Sequence, residues 1–481
     1  MLLRRFYDDT LAQASYLIGC QSTGESLVVD PNRDVARYLA AAAADGLRAT
    51  HVTETHIHAD FVSGARELAA AAGARLLLSG EGGADWSYRF AREANATLLR
   101  DGDAFDVGRV RIGVMHTPGH TPEHLTFLVT DRASADQPMG ALTGDFVFVG
   151  DVGRPDLLER AAGVAGTMES SARALFASLR RFKSLPDYLQ LWPGHGAGSA
   201  CGKSLGAVPQ TTLGYERLFN WALAADDEEE FVAAVLAGQP EPPGYFARMK
   251  RINRDGPPPL GALPRPAELP ADSIRAALAR GDAVIDMRTP DEFAAAHVPG
   301  TLNVPRGRSF SAWTASLTAE GQAVVLVVPT AAEATEAARD LALVGVDRLE
   351  GFVTPEAALR EQSARGAPAT TTQSDVRALA ASLDGGRPPL VLDVRGTDEW
   401  NAGHVPGAVH IPLSQLPSRA GELPRDRRIA VHCQGGSRSA IAASVLEARG
   451  LTDVTNVRGG FAEWKNAGMP VEAGDTPAAV R

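Results

Sequence analysis

Thr55-His56-Ile57-His58-Ala59-Asp60-Phe61 is the stretch on which the reading of this chain turns. It closes an apolar β-type run, RATHVTET, residues 48–55. In extended chain, residues i and i+2 share a face. His56 and His58 are therefore expected to point at one place, with Asp60 beyond them. Clusters of His and Asp at strand ends suit a borderline divalent cation. Three more such signals follow in order: Thr117-Pro118-Gly119-His120, Leu142-Thr143-Gly144-Asp145 and Trp192-Pro193-Gly194-His195. A lone buried histidine is usually a hydrogen-bonded core residue, but four motifs in sequence describe a site. The glycine before each downstream residue lets the backbone turn sharply and bring that side chain close.

Around these motifs, roughly the first 240 residues alternate β-type runs with Ala-rich helical stretches. SLVVD, RATHVTET and ARLLLSG stand against DVARYLAAAAADG and GARELAAAAG. This is an α/β pattern. Residues 254–267 hold five prolines, which neither helix nor central strand tolerates, so they read as a linker. A weaker break lies near SARGAPATTTQSD, residues 363–375. The expected domains are 1–253, 268–366 and 371–481, which suits a chain of 481 residues. Net charge is −11, with 22% charged residues and no long run of one sign. Neither a nucleic-acid partner nor an anionic membrane surface is indicated. No apolar run approaches the roughly 20 residues of a membrane span, and the N-terminus MLLRRFYDDT lacks a signal-peptide core. Three widely separated cysteines, Cys20, Cys201 and Cys433, fit reduced thiols better than a disulfide framework. The expectation is a cytoplasmic protein, free to form a homo-oligomer.

The C-terminal half repeats itself. Asp286-x-Arg288 is echoed by Asp393-x-Arg395, Glu292-Phe293 by Glu399-Trp400, His297-Val-Pro-Gly300 by His404-Val-Pro-Gly407, and Pro305 by Pro412, always 107 positions apart. One offset held over four motifs means two copies of one domain. The pattern resembles the rhodanese family. In the second copy, Arg428-Ile-Ala-Val-His432 runs into Cys433-Gln434-Gly435-Gly436-Ser437-Arg438, and a helical stretch follows. A cysteine at a strand end, a Gly-rich turn and a helix start make an anion nest. Such a nest depresses the thiol pKa and stabilises a persulfide anion, with Arg438 available to hold a sulfur oxyanion. The six-residue loop has the length rhodaneses use for sulfur. The first copy reads Val325-Leu-Val-Val-Pro329-Thr-Ala-Ala-Glu333 there, and no cysteine occurs between 201 and 433. It is expected to fold without carrying sulfur, which makes Asp-x-Arg and His-Val-Pro-Gly fold determinants.

The four N-terminal motifs together resemble the metallo-β-lactamase superfamily, whose fold is an αββα sandwich with metal at the sheet edge. The glyoxalase II branch continues HxHxDH and holds two metals, whereas this chain has Phe61 after Asp60. That leaves only Asp60 and His195 for a second site. THIHADF, TPGHTPEH, TGD and WPGHG instead resemble the persulfide dioxygenases. The resemblance implies one Fe(II) per chain on His56, His120 and Asp145, with His58, Asp60 and His195 orienting those ligands. Two histidines and one carboxylate leave positions open for oxygen and a low-molecular-weight thiol persulfide. Spacing alone leaves His58 open as a fourth ligand and leaves iron and zinc undistinguished. By the same resemblance Arg154 lies near the mouth, where it could meet a thiol's carboxylate or phosphate; an ion pair is the alternative. Cys201, just past His195, either contacts substrate and sulfur or fills a Gly-rich turn. His116 and His124 read as loop histidines.

The whole order resembles bacterial persulfide dioxygenase–rhodanese fusions of sulfide detoxification. Their fold class is an αββα sandwich followed by two α/β domains with central parallel sheets. The implied partners are a thiol persulfide, O2 and the sulfite/thiosulfate pair. A zinc thioesterase of glyoxalase II type and a non-enzymatic persulfide carrier or sensor are the alternatives.

Overall fold

The structure, a computed structural model, describes residues 1–160 and 166–474. It divides into two compact units: Met1–Leu263 with Ala342–Gly345, and Pro264–Leu341 with Val346–Arg481.

The first unit is built on two six-stranded sheets. One contains β1 (Leu2–Asp8), β2 (Gln13–Cys20), β3 (Glu25–Val29), β4 (Arg48–Thr53), β5 (Arg75–Ser79) and β6 (Thr97–Leu99) in that order. The other contains β7 (Ala104–Val107), β8 (Val110–His116), β9 (Leu125–Asp131), β10 (Gly140–Gly144), β11 (Gln190–Pro193) and β12 (Thr211–Thr212), also in spatial order. Alternation along the strands explains the layering. In β2, Ala14, Tyr16 and Ile18 join the inter-sheet core with Ile112, Val114, Phe127 and Trp192, while Leu17 faces the other side, among Tyr38, Ala42 and Leu68 of the helices Val35–Ala44 and Ala65–Ala72. On the outer face of the second sheet, the helix Met168–Phe182 buries Ala172, Leu175, Phe176 and Leu179 at helical spacing. The result is the expected αββα sandwich. One local expectation fails. β4 ends at Thr53, so His56 to Asp60 lie in irregular chain after the strand rather than in extended chain.

The second unit holds the two repeats, each on a parallel sheet. The first contains β13 (Ala283–Asp286), β14 (Leu302–Asn303), β15 (Val324–Val327) and β16 (Leu349–Val353), ordered β14-β13-β15-β16. The second contains β17 (Thr372–Ser374), β18 (Leu390–Asp393), β19 (Val409–His410), β20 (Ile429–His432) and β21 (Val454–Val457), ordered β17-β21-β20-β18-β19. The shared motifs have structural reasons. Arg288 pairs with Asp286 and donates to the Ala296 carbonyl at 3.0 Å; Arg395 pairs with Asp393 and donates to the Gly403 carbonyl at 2.7 Å. His297 stacks on Phe293 at 3.9 Å, and His404 on Trp400 at 3.5 Å. Each of these histidines also bonds the carbonyl of its aromatic partner. The Asp-x-Arg and His-Val-Pro-Gly marks thus tie the loops of each copy to its sheet, catalytic or not. Among the described residues, no helix is long and apolar enough to cross a membrane.

Candidate metal centre and sulfur-carrying loop

Four chain segments meet at one sheet edge of the first unit: the segment after β4, the β8–β9 connection, the end of β10 and the end of β11. They bring His56, His120 and Asp145 together, fully buried, with ligand-type atoms within 4.8 Å of one another. Asp145 Oδ2 lies 3.9 Å from His56 Nε2, 3.5 Å from His120 Nε2 and 3.5 Å from His195 Nε2. It has no hydrogen-bond partner among the described residues. Two atoms each about 2.1 Å from a shared ion stand ~3–4 Å apart at ordinary coordination angles. The spacing is thus too long for direct bonding and suited to a cation between the atoms. A buried, unpartnered carboxylate oxygen otherwise costs free energy, so the residues fit a metal.

The ring nitrogens not facing this point are engaged. His56 Nδ1 lies 3.0 Å from Thr55 Oγ1, His120 Nδ1 3.1 Å from the Arg154 carbonyl, and His195 Nδ1 2.9 Å from the Ala12 carbonyl. Such outer bonds fix ring orientation and tautomer. Burial, then the neighbouring histidines, pushes the His56 imidazole well below its ordinary value. Burial also lowers His120. Both therefore favour the neutral form that a metal requires. Two glycines are required here. Gly144 has φ +49°, and a Cβ there would stand 2.5 Å from Thr55 Oγ1. A Cβ on Gly194 would stand 2.7 Å from Asp145 Oδ1.

His58 lies outside the triad. Its Nε2 is 3.2 Å from Asp30 Oδ1, and its Nδ1 is buried without a partner among the described residues. Burial alone would lower its imidazole, but the charge of Asp30 and the bond to it raise it to about 9. Asp30 also accepts from Thr55 N at 2.6 Å and Thr55 Oγ1 at 2.9 Å, tying the end of β3 to the metal segment. Sequence reasoning missed it. The available signal was an acid closing the apolar run SLVV immediately before Pro31. His124, read as a loop histidine, is fully buried: its Nε2 accepts from Asp145 N at 3.1 Å and so positions that carboxylate. His116 bonds the Pro122 carbonyl. Arg154 is not at a mouth. It is fully buried, bonded twice to Asp156 at 2.7 and 2.8 Å and to the Ala200 carbonyl at 3.0 Å, which pins the segment leading to Cys201. The guanidinium is committed because a buried charge must be paired.

A second group was not expected. Asp60, His195 and Cys201 are buried, with ligand-type atoms within 4.8 Å of one another. The reading that Phe61 leaves only Asp60 and His195 there is overturned by the path of residues 196–201, which returns the Cys201 thiol to the site. Burial, then Asp145 and Asp60, pushes that thiol well above its ordinary value.

In the second unit, β20 delivers Cys433 to the start of the helix Ser437–Ala448. Its Sγ is buried and accepts from Gly436 N at 3.1 Å. Gly436 has φ +108°, which favours glycine. Gln434 is exposed, and its side chain accepts from Arg395 at 3.3 Å. Gly435 and Ser437 are exposed around it. Arg438 is half-buried and bonded to both oxygens of Glu399 at 2.6 and 2.7 Å. Strand register aligns the copies. Asp393 pairs with His432 and Asp286 with Val327, so Val328 stands where Cys433 does and Glu333 where Arg438 does. The first copy lacks the nucleophile and reverses the charge.

Residues 8–195 match the metallo-beta-lactamase superfamily, and residues 270–353 and 375–467 each match the rhodanese-like domain. A solved metallo-beta-lactamase from Staphylococcus aureus subsp. aureus COL is 41% identical, with a TM-score of 0.68, over 74% of this chain and 99% of its own. The mitochondrial persulfide dioxygenase ETHE1 of Bos taurus is 28% identical over 40% of this chain and 68% of its own. A sulfurtransferase of Allochromatium vinosum is 33% identical over 21% of this chain and 92% of its own.

Proposed function

The chain belongs to the metallo-beta-lactamase superfamily and carries two rhodanese-like domains, and from that premise we propose that it is a persulfide dioxygenase joined to a sulfurtransferase. The observation that carries the reading is the His56–His120–Asp145 group, two imidazoles and one carboxylate on one point. That donor set suits a non-haem Fe(II) with open positions, one ion per chain. When bound, the iron supplies the redox chemistry by which oxygen and a persulfide sulfur react side by side.

The reaction is RSSH + O2 + H2O → RSH + SO3²⁻ + 2H⁺. The sulfane sulfur gives up four electrons, and O2 accepts them. RSSH is a low-molecular-weight thiol persulfide. The chain's own residues hold the site in shape: Thr55, the Arg154 carbonyl and the Ala12 carbonyl orient the three imidazoles, and His124 holds Asp145. The buried walls exclude bulk water.

Sulfurtransfer runs through Cys433. The Cys433 thiolate attacks the sulfane sulfur of a donor RSSH, the donor's S–S bond breaks and RSH leaves, so that Sγ carries an outer sulfur with its negative charge; the Gly436 N–H, which donates to Sγ, steadies the anion. Attack by sulfite on the outer sulfur breaks the S–S bond, releasing thiosulfate and the Cys433 thiolate; the reverse direction uses the same groups. The two halves share sulfite and persulfide. The middle domain, with Val328 and Glu333 in the decisive positions, serves as architecture.

The experiment is oxygen uptake with a panel of thiol persulfides by iron-loaded, zinc-loaded and metal-free protein. Iron-dependent uptake with stoichiometric sulfite supports the reading. Thioester hydrolysis by the zinc form without oxygen uptake would replace it with a hydrolase.

A further inference from the structure

Four residues of the first unit come from a distant place in the sequence. Ala342–Gly345 pack with Met1–Leu263, although they end the helix Ala331–Leu343 of the first repeat. The second repeat supplies the comparison. Val328 matches Cys433, and at the same offset Ala342, Leu343 and Val344 match Glu447, Ala448 and Arg449. The backbone ends both helices alike. Gly345 N donates to the Ala342 carbonyl and Val346 N to the Leu341 carbonyl; Gly450 N donates to the Glu447 carbonyl and Leu451 N to the Leu446 carbonyl. Gly345 has φ +72° and Gly450 φ +80°, the left-handed conformation that closes such a helix end. The side chains differ. Glu447 and Ala448 are partly buried and Arg449 is exposed, whereas Ala342, Leu343 and Val344 are 0% exposed. An apolar triplet stands where the fold of the repeat does not require one.

The triplet is held against the chain that leaves the metal segment. The Leu343 carbonyl accepts from Val62 N at 2.7 Å. The Ala342 carbonyl accepts from Arg33 Nη1 at 3.2 Å, and the same guanidinium reaches the Pro258 carbonyl at 3.0 Å. Last-turn carbonyls lack the partners that mid-helix carbonyls have, and a cation there meets the negative end of the helix dipole. A Cβ on Gly345 would stand 2.9 Å from Met249 Cε and 3.3 Å from Val62 Cγ2, so the turn sits tight on Val62. Both gripped stretches lead to the metal segment. Arg33 follows closely on Asp30, which bonds Thr55 and His58, and Val62 follows Phe61, whose ring lies 4.4 Å from that of His58. Gly64 N donates to the Pro31 carbonyl at 2.7 Å and ties the two stretches together. We propose that residues 342–345 are a positioning element of the metal centre: they clamp residues 30–33 to residues 61–64 and thereby hold His56 and His58 in place. The inference rests on the metal-binding part of the dioxygenase reading and on no step of the reaction. Coupling of this kind is reciprocal, so an ion that binds only the ordered segment makes opening of the clamp rarer.

The test is hydrogen exchange of the full chain with and without Co²⁺, without oxygen, read by mass spectrometry on peptides covering 341–347 and 446–452. At Co²⁺ about 100 times its Kd, an opening that releases the ion becomes about 100-fold rarer. Exchange at 341–347 should therefore slow at least about tenfold, while exchange at 446–452, which has the same backbone bonds, should stay within about twofold. Val344→Arg is the matched variant, since the second repeat carries Arg449 at that position in a folded copy. It should weaken Co²⁺ binding, measured by competition with a chelator, at least about tenfold and leave sulfurtransfer through Cys433 within about twofold. Arg33→Met should weaken binding likewise, and Arg33→Lys should recover part of it, because a cation returns to the helix end. Equal exchange at 341–347 with and without Co²⁺ would overturn the proposal in the native chain, whatever the variants do. So would native Co²⁺ affinity in both Val344→Arg and Arg33→Met. Absence of Co²⁺ binding would overturn the metal-centre reading as well, whereas binding without the exchange effect overturns this inference alone.

Discussion

Replacing Asp30 with Asn tests how the metal segment is held. In the native chain one buried carboxylate accepts three bonds, from Thr55 N at 2.6 Å, Thr55 Oγ1 at 2.9 Å and His58 Nε2 at 3.2 Å. Bonds to a charged acceptor contribute about 1.5–3 kcal/mol each, roughly twice a neutral one. Asn keeps the shape and one carbonyl, so the change removes the charge-assisted half of each bond. That is about 0.7–1.5 kcal/mol apiece, or about 2–4 kcal/mol in all. For a unit of this size, 1 kcal/mol moves Tm by about 2–4 °C, so Tm should fall by roughly 5–15 °C. His56 follows Thr55 directly, and its ring is bonded to the Thr55 hydroxyl. Metal affinity should therefore fall about 10–100-fold, the usual effect of losing a group behind a ligand. Differential scanning calorimetry of the metal-free protein reads the first effect and competition with a chelator reads the second. Native Tm together with native affinity would refute the claim that Asp30 organises the site.

Three further outcomes are expected. Gly194→Ala places a methyl group 2.7 Å from Asp145 Oδ1, so iron affinity should drop at least about tenfold while the far-ultraviolet circular dichroism stays native; unchanged affinity would mean that Asp145 does not ligate. Cys433→Ser should abolish thiosulfate–thiol sulfurtransfer and leave persulfide-dependent oxygen uptake within about twofold, and loss of both activities in a folded protein would point to one shared site. Arg438→Ala removes a cation beside the Cys433 loop, and sulfurtransfer kcat/KM should fall about 10–100-fold, the equivalent of about 1.5–3 kcal/mol; a native value would show that Arg438 only braces Glu399.

What could be read in advance depended on whether the signal was local. The 107-position offset identified two copies because Asp-x-Arg and His-Val-Pro-Gly each serve a short-range purpose, an arginine reaching a carbonyl eight residues on and a histidine stacked four residues back. The candidate metal-site motifs were legible because His56 and His58 stand two residues apart just after β4, and His120, Asp145 and His195 each follow a glycine. Asp30 was not, since a single acid after an apolar run carries no motif and its partners, Thr55 and His58, arrive only when β3 and β4 pair. The second donor group was missed for the same reason: the position of the Cys201 sulfur depends on the fold of residues 196–201 and on the Arg154 bond that pins them. Arg154 itself was misplaced because proximity to the site does not reveal burial, and Asp156, its partner two residues on, neutralises it inside the fold. The reading of His124 as a loop histidine likewise missed its burial and the bond its Nε2 accepts from Asp145 N.

The most direct test of the central claim is oxygen consumption against iron content for the wild type, His120→Ala and Asp145→Ala with a thiol persulfide as substrate. The account predicts uptake proportional to iron at the His56–His120–Asp145 group, one O2 consumed per sulfite formed, and none in either variant. Full activity in protein that holds zinc and no iron would contradict it.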